Sequence, residues 1–97
     1  MTGESRRDPE AIPRRALGTR IRRVKGDLLL GVEEKALSLN GPAVLIFELL
    51  DGQRSTAEVA RRLADAYGIA EHEALVDVQD FLDDLSGRGI VEWRHGN

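Results

Sequence analysis

The pattern of apolar and polar positions changes period at Asn40. Before it the pattern is short and alternating, and after it apolar residues recur at three- and four-residue spacing. Leu17, Thr19 and Ile21 alternate with Gly18, Arg20 and Arg22, and the run at 26–32, GDLLLGV, opens on a Lys-Gly-Asp turn. Two hairpin strands are expected there. A second turn at Glu33-Glu34 leads into Lys35 to Leu39, where Leu37 and Leu39 share one face and Ala36 and Ser38 the other. This third strand is placed at a sheet edge.

Beyond Asn40 three helices are expected. Asn40 is a helix-capping residue, Pro42 suits a first turn, where its missing N–H costs nothing, and Val44, Leu45, Phe47, Leu49 and Leu50 supply an apolar surface over Gly41 to Leu50. Gly52 supplies the left-handed residue that ends a helix. Ser55 followed by Glu58 reads as a capping box for a second helix, Thr56 to Tyr67, stopped by Gly68. The third and longest, Glu71 to Ser86, sets Leu75, Val78, Leu82 and Leu85 on one stripe. Gly87 and Gly89 break it, and IVEW at 90–93 reads as a closing strand or wing. Residues 1–13, with two prolines and little apolar content, are expected as a disordered tail. The domain then covers 14–94, with a short tail at 95–97. The fold class expected is α+β: a three-stranded antiparallel sheet followed by a three-helix, winged helix-turn-helix-like bundle.

Composition narrows the picture. With 97 residues the chain has the length of one domain with a modest core. No apolar run approaches the roughly 20 residues that span a bilayer, no apolar signal segment opens the chain, and there are no cysteines. A cytoplasmic protein without membrane partner is expected. The net charge of -3 conceals an asymmetry: residues 1–25 hold eight Lys/Arg against three Asp/Glu, the remainder six against fourteen. The basic arm leaves nucleic acid or an acidic partner as classes to weigh.

Candidate chemistry is sparse. Glu73, Asp77, Asp80 and Asp84 share the helix face opposite the apolar stripe, which reads as a solvated acidic face rather than as paired catalytic carboxylates. His72 and His95 have no metal-ligand spacing. Ser38, Ser55 and Ser86 have strand, cap and helix-end roles, with no activating base. The glycines sit at element ends and form no phosphate cradle. No catalytic residue, cofactor or metal is therefore assigned, and no enzyme is expected.

The series LLLGVEEKALSLNGPAVLIFELLDGQRSTAEVARRLADAYG, with DVQDFLDDLSGRGIVE after it, resembles the PqqD family, which includes recognition elements for ribosomally made, post-translationally modified peptides (RiPPs). The likeness runs from Leu17 to Trp93, and its most specific parts are the Leu39-Asn40 corner, Leu50-Asp51-Gly52, and Asp77-Val78 with Phe81-Leu82 leading to Gly89-Ile90-Val91. It implies three strands packed on three helices. The leader of a precursor peptide would add as a further strand along the third strand, in a cleft against the third helix, and be presented to a modifying enzyme such as a radical-SAM enzyme or a leader peptidase. The chain ends soon after the expected fold, as free-standing members do. It has Lys35-Ala36 where many members carry an aromatic before the corner, which leaves the leader's anchor residue unassigned.

The groove residues expected are Lys35, Ala36, Leu37, Ser38 and Leu39 on the third strand, with Leu75, Val76, Gln79 and Asp83 on the third helix. Bottom-up chemistry agrees, since an edge strand offers a row of unpaired N–H and C=O groups that an extended peptide satisfies. Val76, about 100° round the helix from Leu75, suits a groove wall. The alternative is a winged-helix DNA-binding regulator. A recognition helix needs Lys, Arg, Asn or Gln toward phosphates and bases, yet Glu71 to Ser86 is acidic and holds no Lys or Arg.

Overall fold

The computed structural model describes residues 7–94. The expected tail residues 1–6 and 95–97, with His95, lie outside the described residues. The elements in chain order are β1 (Ile12–Arg15), β2 (Arg20–Val24), β3 (Asp27–Val32), β4 (Lys35–Leu39), α1 (Pro42–Glu48), α2 (Thr56–Tyr67), α3 (Glu71–Gly87) and β5 (Val91–Arg94). The fold is α+β with three helices, as expected, but it has two antiparallel sheets, β2-β3-β4 and β1-β5.

The second sheet corrects the N-terminal reading. β1 begins at Ile12, inside the stretch expected as tail, and β5, expected as a closing strand or wing, is its partner, with Pro13 opposite Trp93 and Arg15 opposite Val91. The strand expected from Leu17 starts only at Arg20, and Leu17 and Gly18 form the turn between β1 and β2. Long-range hydrogen bonds tie Pro9 and Ala11, just before β1, to α2. The Thr56 amide and hydroxyl both donate to the Ala11 carbonyl, at 2.9 and 3.1 Å, and the Ala57 amide donates to the Pro9 carbonyl at 2.9 Å. These are first-turn groups of α2, which lack partners inside the helix. A tail that looks structureless in isolation thus completes a helix 45 residues away in sequence.

The three-stranded sheet follows from its turns. Two-residue turns at Lys25-Gly26 and Glu33-Glu34 join its strands, with Val24 opposite Asp27 and Val32 opposite Lys35. Lys25, Gly26 and Glu33 take positive φ, as tight hairpins require. One face of the sheet turns Leu28, Leu30 and Leu39 onto the helices, and these join Phe47, Leu50, Val59, Leu63, Val78, Leu82, Leu85 and Ile90 in one core. Burial of each such side chain stabilises the fold by about 1.5–3 kcal/mol.

The helices follow their sequence signals with instructive exceptions. Ser55 Oγ accepts from the Glu58 amide at 3.2 Å, and Gly68, at φ 67, ends α2 in the left-handed conformation. α1 is shorter than expected: Gly41 rather than the Asn40 side chain stands at its N-cap, with φ 56 and no side-chain cap, and Leu49 rather than Gly52 ends it. On α3 the stripe is rotated slightly, because Ala74 is fully buried while Leu75 is half-buried. No helix among the described residues is long and apolar enough to cross a membrane.

Candidate peptide-binding site

β4 is an edge strand among the described residues, bonded to β3 on one side and to no strand on the other. Register decides which groups it offers. The pair that closes a two-residue hairpin exchanges hydrogen bonds, and bonded pairs then alternate with non-bonded ones. Val32–Lys35 closes the β3-β4 hairpin, so Lys35, Leu37 and Leu39 direct their amides and carbonyls into β3. Ala36 and Ser38 direct theirs outward. Two residues of β4 therefore hold free strand-pairing groups, at the spacing an added antiparallel strand would meet.

Beside this edge lies a cleft of about 520 Å³. Leu30, Val32 and Leu37 line it from the sheet, Ala16 and Leu17 from the β1–β2 turn, and Gly87, Arg88 and Ile90 from the end of α3 and the residues after it. Lys35, Glu33, Arg88 and Glu92 stand at its charged margin. The site is thus a cleft of mixed polar and apolar lining beside an open strand edge, with the last turn of α3 at its wall.

Of the residues expected to bind a peptide, Lys35, Ala36 and Leu37 line the cleft. Ser38 is exposed on the same edge, and Leu39 is buried in the core. The α3 residues go elsewhere. Gln79 Nε2 donates to the Arg7 carbonyl at 2.6 Å, and Arg7 Nη1 donates to Asp83 Oδ2 at 2.6 Å and Asp80 Oδ1 at 3.3 Å. The hydrogen bond from Arg7 to Asp83 leads the causes that raise the guanidinium's pKa. Leu75 and His72 face a hollow against Ala57, Ala60 and Arg61 of α2. Val76, 49% exposed, lies about 60° from Gln79 and 20° from Asp83 on the helical wheel at 100° per residue. This flank of α3 carries the N-terminal segment. The structure does not bring Leu75, Val76, Gln79 and Asp83 to the cleft beside β4.

The C-terminal end of α3 does approach it: Gly87 and Arg88 line the cleft, and Arg88 Nε donates to Asp84 Oδ2 at 3.1 Å. Sequence reasoning missed Arg88, Ile90 and Leu17. The available signal was the apolar stripe, which leaves two flanks on α3; which one faces β4 depends on how the helices cross the sheet.

Other side chains offer little chemistry. Asp51 accepts from the amides of Arg54 and Gln53, both at 2.9 Å, and these bonds, with the charge of Arg54, hold its carboxyl below the usual range. The contacts cap the turn before α2. Among the described residues no group of His, Cys, Asp and Glu could hold a metal ion.

The architecture defines a class: a small α+β domain whose three-stranded sheet keeps one edge open beside a helix end. The same fold occurs in the solution NMR structure of the PqqD truncation of Methylobacterium extorquens PqqCD, described as a functional, stand-alone RiPP recognition element. That structure matches with TM-score 0.70 and 24% identity over 88% of this chain and 98% of the other. Residues 28–91 match the family model of coenzyme PQQ synthesis protein D, and the chain is 32% identical over 69 residues to the PqqA binding protein of Rhizobium meliloti (strain 1021), covering 71% of this chain and 70% of that one. The chain belongs to the PqqD family.

Proposed function

We propose that this protein binds the leader of a ribosomally made precursor peptide of the PqqA type as an added strand on β4 and presents it, in the cytoplasm, to a peptide-modifying enzyme such as a radical-SAM enzyme or a leader peptidase. The observation that carries the proposal is the edge of β4, where Ala36 and Ser38 turn their amides and carbonyls outward beside the cleft. Backbone pairing supplies affinity, and the cleft selects side chains at alternate positions of the guest. Membership of a family with a PqqA binding protein in it supports the choice of guest. Acting as a recognition element, the protein raises the effective concentration of the precursor at its enzyme, which needs both contacts at once.

Titration calorimetry with a PqqA peptide tests the proposal, with duplex DNA at the same salt as the control. Saturable one-to-one binding of the peptide and no heat from DNA are expected. DNA binding with a steep salt dependence, and none of the peptide, would overturn it.

A further inference from the structure

Leu17 is 96% exposed, while every other leucine of the described residues is far less so, the next being Leu29 at 37%. It sits at the tip of the β1–β2 turn, where Gly18 takes φ 91. Single exposed apolar residues are ordinary on protein surfaces, but this one lines the cleft beside β4, together with Leu30, Val32, Leu37 and Ile90. The turn that carries it is fixed at its base, where the Ala16 amide donates to the Ile90 carbonyl at 2.8 Å. Beyond that base, among the described residues, the Leu17 side chain stands almost wholly exposed. An extended guest on β4 would send alternate side chains toward the cleft, and an aliphatic one set against the half-buried Val32 and Leu37 would meet Leu17.

We infer that Leu17 is a specificity-determining residue of the cleft, closing the β1–β2 turn over an aliphatic side chain of the guest strand. The inference rests on strand addition at β4, and it adds a third wall that neither the edge nor α3 provides. Leu17 leaves water only when an apolar guest residue is there to cover it, so the turn favours guests with an aliphatic residue at that position and gives little to polar ones. The cost of an exposed leucine in the free protein is regained on binding.

The test follows a PqqA peptide on the parent protein and on Leu17→Ser. The amide signals of Ala36 and Ser38 report strand addition, and the Leu17 methyl signals report closure. In the parent both sets should move together. Leu17→Ser should bind about tenfold more weakly, the loss of one buried aliphatic contact, with the shifts at Ala36 and Ser38 retained at saturation and the melting temperature unchanged, because the leucine is almost wholly exposed in the free protein. Movement of the β4 amides with still Leu17 methyls and equal affinity for Leu17→Ser would overturn the closure and leave strand addition standing. Absence of any shift at Ala36 and Ser38 would remove strand addition, and the closure with it.

Discussion

Two parts of α3 have opposite fates. One flank is already occupied by the chain's own N-terminal segment, with Arg7 on Gln79, Asp80 and Asp83 and with Pro9 and Ala11 capping α2. The C-terminal end lies beside β4 at an open cleft. A covered groove contributes to stability and an open one is available for a guest. The acidic character of α3 therefore does not predict a basic leader, because part of that charge is already met by Arg7.

Separating the two roles is the sharpest way to break this comparison. A chain starting at Ile12 loses the carbonyls that accept from the Thr56 amide, the Thr56 hydroxyl and the Ala57 amide. At about 0.5–1.5 kcal/mol per hydrogen bond, urea unfolding should show a loss of roughly 2–4 kcal/mol, with peptide affinity of the folded protein retained. Equal stability of the two chains would show that the segment does not complete α2.

The edge comes next. Ala36→Pro and Ser38→Pro each remove an outward N–H, so each should weaken binding of a PqqA peptide by on the order of tenfold, with little loss of fold because edge strands tolerate proline there. Leu37→Pro removes an amide directed into β3 and should lower the melting temperature instead. If all three variants bind as the parent does, the guest does not pair with β4.

A smaller effect belongs to the structural side. The amides of Arg54 and Gln53 hold the Asp51 carboxyl below its ordinary range, so its contribution is full above the unfolded-state carboxylate value, about 4, and is lost as pH falls through the lower folded value. Asp51→Asn should flatten this part of the stability profile as pH falls below the unfolded-state value, an effect kept small by solvent screening of so exposed a group. A parallel profile for the two proteins would remove the carboxylate from the acid response.

Much of the fold was legible because its signals are local. Ser55 and Gly68 bound α2 on either side, and the alternation of Leu37 and Leu39 with Ala36 and Ser38 identified β4. The N-terminal strand was not legible, since Ile12–Arg15 becomes a strand by pairing with Val91–Arg94, a distant partner with no short-range signature. The site divided the same way. Its strand half is read from period two, whereas its helix half depends on packing, and the stripe of Val78, Leu82 and Leu85 is equally compatible with a groove on either side.

The smallest effect should come from Val76→Asp, on the covered flank: stability and peptide affinity both within twofold of the parent's. Sharp loss of binding without unfolding would move the guest to the flank that holds Arg7.

Amide hydrogen exchange measured residue by residue, with and without a saturating PqqA peptide, tests the central claim most directly. Ala36 and Ser38 should gain protection on binding, while Leu37, already paired to β3, and Gln79, on the covered flank, stay as they were. Protection confined to α3 around Val76 and Gln79, with Ala36 and Ser38 unchanged, would contradict the account.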